Sequence, residues 1–365
     1  MKPSFIVTLV CLIILISGFT SAFCLPWPPE LDVVYIKFNY TSGYSYDALT
    51  IKRNNSTQIQ VPEWYPAYSR NEPMAYIKSQ SDCIIEAKFW IDRSGFSDAG
   101  IYADMSGQGI GDVPVQWVDF NETQYSTQPM ECSGSVPSSV GIRSFSWDWY
   151  VTYIDDYEFE EPLWIGDTGD HEYYTLLAAP QAPMSVPWTD VLDYSCDWAS
   201  GTTTSSSACT AILSNGFSAH YTWGEGGNCH RLSSDFVRLV TCIGISASQH
   251  RWSSKNQNVG DMSYQRTKSI DPVGPTYGQG AQQWYFHQWS EAASSQRDPS
   301  TATSKSGSWG GYEDDLFTHY ERKIASYPYY ERVSNQSGQS SGCEAPEHRI
   351  YSSSPPLYDW RGPDR

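Results

Sequence analysis

Residues 224–244 read Gly224-Glu225-Gly226-Gly227-Asn228-Cys229-His230-Arg231-Leu232-Ser233-Ser234-Asp235-Phe236-Val237-Arg238-Leu239-Val240-Thr241-Cys242-Ile243-Gly244. Leu232, Phe236, Val237, Leu239 and Val240 recur at helical spacing as one apolar stripe, so a helix is expected from Cys229 to Cys242. Gly244 is its stop signal. A glycine-rich turn therefore delivers a cysteine to the first residues of a helix. Unpaired N–H groups and the positive end of the helix dipole stabilise an anion there, which favours a thiolate. The same N–H groups can donate to the oxyanion of a carbonyl that sulfur has attacked. Cys229 is thus a candidate nucleophile. The competing role is that of an inert buried thiol, which is the role expected of Cys242 near the end of the stripe.

A nucleophilic thiolate needs a base or ion-pair partner, and the base needs an orienting acceptor. The chain has seven histidines. His230 adjoins the cysteine, but successive helix residues point about 100° apart. His171 sits in an acidic stretch, His319 and His348 lie in polar surroundings, and spacing alone leaves His220 and His250 open. His287 has the best context. It falls in Trp284-Tyr285-Phe286-His287-Gln288-Trp289-Ser290-Glu291, an aromatic, partly alternating run that predicts a strand with His287, Trp289 and Glu291 on one face. Asp298, in Arg297-Asp298-Pro299, comes opposite His287 if the chain reverses near residues 292–293. A hairpin makes that contact, although Ala292-Ala293 is a poor tight-turn pair.

These residues resemble the core of transglutaminase-like cysteine enzymes. That core has Gly-x-Cys at a helix start, an apolar-striped helix and a Gly-Ile-Pro-Ala-like step into a strand, and residues 226–247 follow it. The family's His-x-Trp-x-Glu strand is matched by residues 287–291, and its Asp-Pro by Asp298-Pro299. The resemblance covers roughly residues 185–320. It implies a papain-like α+β catalytic domain with Cys229, His287 and Asp298 as the triad, acyl transfer at an amide of a protein or peptide substrate, and no cofactor or metal in the core chemistry. Ser246 stands where the family usually has Pro. The step from His287 to Asp298 is short, and Gly307-Ser308-Trp309-Gly310-Gly311, a segment the family often places before its Asp, falls after Asp298. Asp315 is therefore a rival orienter.

Residues 25 to 180 carry a different texture. Val33–Phe38, Ile84–Ile91 and Ser144–Val151 are rich in β-branched and aromatic residues, with Gly, Pro, Asn and Asp clusters between them. An N-terminal β-sandwich is expected there, followed by the α+β domain over residues 185–330 and a Ser/Gly/Pro-rich tail over 331–365, expected as a coil wrapping the surface. The acidic stretch Asp155–Glu172 suits a solvated interdomain loop better than a calcium site. Pro180, Pro183 and Pro187 mark a linker. Asp190–Ser200 has helical spacing before Gly201, and Thr202–Ser207 reads as a polar loop.

Composition sets the surroundings. The 365 residues carry 23 Lys+Arg against 41 Asp+Glu, a formal charge of −18, and 15% aromatics. Such a chain is repelled by phosphate backbones and anionic membranes, so nucleic acid is not an expected partner. Residues 1–22 read as an export signal: Lys2, the apolar run Phe5–Ile16, and the small exit Thr20-Ser21-Ala22. The alternative, an uncleaved anchor, is disfavoured because a span needs about 20 apolar residues. A secreted or cell-surface protein is expected. Acceptor patterns for N-glycans at Asn39, Asn54, Asn55, Asn121 and Asn335 accord with export. Of nine cysteines, Cys11 leaves with the signal, and Cys196 with Cys209 flank a loop and form a candidate disulfide. The reading from another class is a non-catalytic extracellular adhesin or scaffold that keeps the fold.

Overall fold

The computed structural model describes residues 30–41, 43–53, 57–92, 96–120, 125–153, 162–217, 229–253, 286–300, 302–306 and 347–351. The protein is mixed α+β, built mostly of strands in several sheets. In chain order the first strands are β1 (Leu31–Lys37), β2 (Ile51–Arg53), β3 (Thr57–Ile59), β4 (Glu63–Tyr65), β5 (Arg70–Asn71), β6 (Met74–Ile77) and β7 (Ile84–Ile91). Then come β8 (Phe96–Gly107), β9 (Val113–Phe120), β10 (Tyr125–Glu131), β11 (Gly141–Tyr153), β12 (Leu163–Asp167) and β13 (His171–Leu176). Among the described residues three α-helices follow, α1 (Thr189–Trp198), α2 (Ser205–Ile212), which runs on into a π-helical turn at Leu213–Phe217, and α3 (Cys229–Cys242). The last strands are β14 (Ala247–Ser253), β15 (Phe286–Ala292), β16 (Ser295–Asp298), β17 (Thr303–Ser306) and β18 (Glu347–Tyr351).

Two large sheets share one core. The first has the order β10-β7-β1-β4-β5, and the second β6-β13-β11-β8-β9 with β12 against β11. Alternation explains the layering. In β7, Ile85, Ala87, Phe89 and Ile91 are buried between outward residues, and in β11 Phe145, Trp147, Trp149 and Val151 do the same. Phe89 meets Trp149 edge to face at 5.4 Å, so the two apolar faces interlock.

The second sheet is covered on its other side as well. Tyr174 and Leu176 of β13 join α1, α2 and α3 in a second core, and the Tyr174 hydroxyl donates to Asp193 Oδ1 at 2.6 Å. The proline-marked segment 177–188 is packed rather than free: Leu177 N–H donates to the Ile243 carbonyl and Gln181 N–H to that of Thr241. Gly244 closes α3 at φ +91°, where a Cβ would lie 2.3 Å from the Ala178 carbonyl oxygen, so only glycine fits.

Three expectations are corrected. Thr202–Ser207 is not simply a loop, because Thr204 caps α2 by accepting from Ser207 N–H at 3.2 Å in a capping box. Part of the tail is a strand, since β18 pairs antiparallel with β14. The acidic stretch contributes β12 to the second sheet. Asn39, expected as a glycan acceptor, is buried, and its amide donates to the Gln60 carbonyl at 3.0 Å. The export signal and the other acceptor asparagines lie outside the described residues. Among the described residues no helix is long and apolar enough to cross a membrane.

Candidate active site

The third sheet, ordered β17-β16-β15-β14-β18, carries the site against α3. The helix ends at Cys242, a short turn leads into β14, and β14 pairs antiparallel with β15 from Ala247–Ala292 to Ser253–Phe286. β15 therefore runs parallel to α3, and its first residues lie at the end of the helix that bears Cys229. A hydroxyl clamp fixes the level. Ser233 Oγ donates to the Trp289 carbonyl at 2.9 Å and lies 2.9 Å from Ser290 Oγ, while Gln249 Nε2 donates to Ser234 Oγ at 2.9 Å. Ser233 is one turn from Cys229, about 6 Å along the helix, and two strand residues span a similar distance. The first turn of α3 is thus level with residues 287 and 288.

Cys229 is the first residue of α3, 5% exposed, and unbridged. His287 is the second residue of β15, and its backbone pairs with Trp252. Its side chain lies outside the described residues, as do the glycine turn 224–228, His220, His319 and Asp315. Asp298 ends β16, whose ladder with β15 runs from Ala292–Ser295 to Ser290–Arg297. One further step sets Asp298 across from Trp289, diagonal to His287. The hairpin forms, but its turn is Ala293-Ser294, at φ 51° and 56°, the left-handed pair a two-residue turn demands; this lies one residue later than expected, which corrects the expected opposition of Asp298 and His287. Asp298 is fully buried, and its Oδ1 accepts from Ser300 N–H at 3.1 Å and Ser300 Oγ at 2.6 Å.

Of the other histidines, His171 and His250 are engaged elsewhere, and the side chains of His230 and His348 lie outside the described residues. His171 is a core residue ringed by Phe38, Trp64, Phe145 and Trp147, and burial pushes its pKa down to about 4. His250 stacks on Trp289 with centroids 5.7 Å apart, and its Nε2 lies 3.2 Å from Glu291 Oε2. Burial lowers the His250 pKa, and Glu291 opposes that shift. Sequence reasoning missed this imidazole–carboxylate pair. Its signal was the register of two strands, and only the β15 run was read as one. Trp289 Nε1–H donates to Gln296 Oε1 at 2.7 Å, tying β15 to β16 beneath the site.

The other described cysteines are buried, unbridged thiols in the structure. Burial pushes Cys83, Cys209 and Cys242 up to about 12 and raises Cys132 and Cys196 as well. Cys196 and Cys209 are both free, which corrects the expected bridge: Cys196 faces the Thr175 carbonyl on β13, while Cys209 sits on α2. Among the described residues there is no group of three or more His, Cys, Asp or Glu placed to hold a metal ion. No protein-family model matches the chain, and no curated protein matches it in sequence.

Proposed function

We propose that the protein is a secreted cysteine-nucleophile enzyme acting on amide bonds of proteins or peptides, with a β-sandwich followed by a transglutaminase-like catalytic domain. The single observation that supports this reading is the placement of an unbridged cysteine at the first residue of a buried helix, level with the start of the strand that contains His287. In the proposed reaction Cys229 Sγ attacks the amide carbonyl, and the N–H groups of the first helical turn receive the oxyanion. The C–N bond breaks as His287 protonates the leaving amine, and Asp298 orients the imidazole. Water, activated by the now neutral His287, hydrolyses the thioester and restores the thiol; an amine in place of water gives a crosslink. The near-complete enclosure of Cys229 favours a narrow substrate tail such as an extended peptide or a glutamine side chain.

The test is turnover of a peptide-amide library, with and without a labelled primary amine. Cys229→Ala should abolish both hydrolysis and amine incorporation while leaving thermal unfolding nearly unchanged. Retained turnover in that variant overturns the assignment.

The scaffold reading has one observation in its favour. Trp164, Tyr150, Tyr102 and Trp117 stand on four neighbouring strands of the second sheet, with Trp117 and Trp164 50% and 58% exposed and the two tyrosine rings stacked at 5.2 Å. Exposed aromatic rows of this kind mark contact surfaces. If no turnover is found in the wild-type chain, this surface becomes the place to look for its role.

A further inference from the structure

The β7–β10 ladder continues past its last strand pair onto two cysteines. It runs from Tyr125–Trp90 to Glu131–Ile84, so the next step sets Cys132 directly opposite Cys83, and Cys132 N–H donates to the Cys83 carbonyl at 2.8 Å. The pairing goes on beyond them, with Val136 N–H donating to the Gln80 carbonyl at 2.8 Å and Ser81 bridging Ser135, so the two positions are held from both sides. Both are free thiols in the structure; each is 1% exposed, and both belong to the same core as Tyr76, Ile85 and Met130, so the two side chains leave the sheet on one face. Directly opposed residues of an antiparallel pair have Cα atoms about 4.5–5.5 Å apart, within the roughly 4.4–6.8 Å that a disulfide spans. We propose that Cys83 and Cys132 are joined by a disulfide in the mature protein, a cross-strand staple closing the chain between β7 and β10.

The chemistry is thiol–disulfide exchange with a disulfide oxidant, either an oxidoreductase of the export route or glutathione disulfide. One thiolate attacks the oxidant and forms a mixed disulfide, the second thiolate displaces it, and the S–S bond forms. The protein loses two protons and two electrons, and the oxidant leaves as two thiols. Burial of both sulfurs keeps them protonated once the core has closed, so the bond forms while the ends of β7 and β10 are still open to the oxidant. This bond is independent of the role given to Cys229.

The test uses the full chain, refolded with a reduced/oxidised glutathione couple, unfolded in alkylating agent without reductant, digested and mapped by mass spectrometry. A fragment linking Cys83 to Cys132 is expected, two hydrogens lighter than its separate halves and split by reduction. Reducing the folded protein should lower Tm by roughly 5–10 °C, because the bond constrains a long loop in the unfolded chain. The Cys83→Val/Cys132→Val variant should lose that reductant-dependent shift. Alkyl label on both cysteines, either one linked elsewhere, or an unchanged Tm shift in the double variant overturns the proposal.

Discussion

At the scale of single residues, Asp298 has a rival that the structure does not describe, and kinetics separate them. Asp298 is buried at the end of β16 with Ser300 on its Oδ1, on the strand beside the one containing His287. Asp298→Asn keeps the shape and the hydrogen bonds to Ser300 but removes the charge that, in the proposed triad, holds the imidazole in its working tautomer. A fall of about a hundredfold or more in kcat is expected, with KM little changed. Asp315→Asn should leave kcat within a few-fold of wild type. The reverse ranking in steady-state kinetics transfers the orienting role to Asp315. The sequence singled out Cys229, His287 and Asp298 because each stands in a short motif. His250 and Glu291 were not visible as a pair, because their contact depends on the register of two strands separated by a long connection.

At the scale of elements, α3 was legible as a helix from its apolar stripe, but its other side was not. Ser233, Ser234, Asp235 and Thr241 are fully buried, and Asp235 lies 3.6 Å from Arg231 and 3.5 Å from Arg238. Polar residues on a helix ordinarily signal solvent; here Ser233 and Ser234 hydrogen-bond across the gap to β15 and β14, Thr241 donates back to the Val237 carbonyl of its own helix, and Asp235 pairs with the arginines one turn either side. The Ser233–Ser290 contact sets the level of Cys229 against His287. Ser233→Ala and Ser290→Ala should each cost about 1–3 kcal/mol in denaturant unfolding, since each strands a buried hydroxyl or carbonyl. The double variant should cost less than the sum, with a coupling of about 1 kcal/mol. Strict additivity would show that the two hydroxyls do not bind one another. α2 was missed because a Ser/Thr-rich run is weakly helical by composition, and its start depends on the Thr204 cap. β18 was missed because a polar tail acquires strand structure only when β14 offers it an edge.

At the scale of the whole molecule, the strand-rich first half and the helical segment were legible separately, but their shared burial was not. β13 is buried on both faces, so Tyr173 enters one core and Tyr174 the other. A single sequence cannot tell such a central strand from a half-exposed one. The same layering buries His171, which gives the fold a defined response to acid. Its pKa falls from an ordinary 6.5 to about 4 because burial penalises the charged ring. The unfolded chain therefore takes up a proton below pH 6.5 that the folded protein refuses until about pH 4. The stabilisation is complete above the upper value and is lost as pH falls to the lower one, with a total of about 3 kcal/mol. His250, lowered in the same direction, adds to this loss. Urea midpoints at about pH 7 and pH 4.5 should differ more in wild type than in His171→Phe; equal differences would remove His171 from the account.

The most direct measurement is the rate at which iodoacetamide labels each cysteine of the folded protein at mildly acidic pH, mapped by mass spectrometry, in wild type and His287→Ala. Cys229 should be labelled well before the buried thiols of Cys196, Cys209 and Cys242, and the loss of His287 should slow it sharply. Labelling of Cys229 only upon unfolding, or at a rate indifferent to His287, would contradict a thiolate nucleophile at the start of α3.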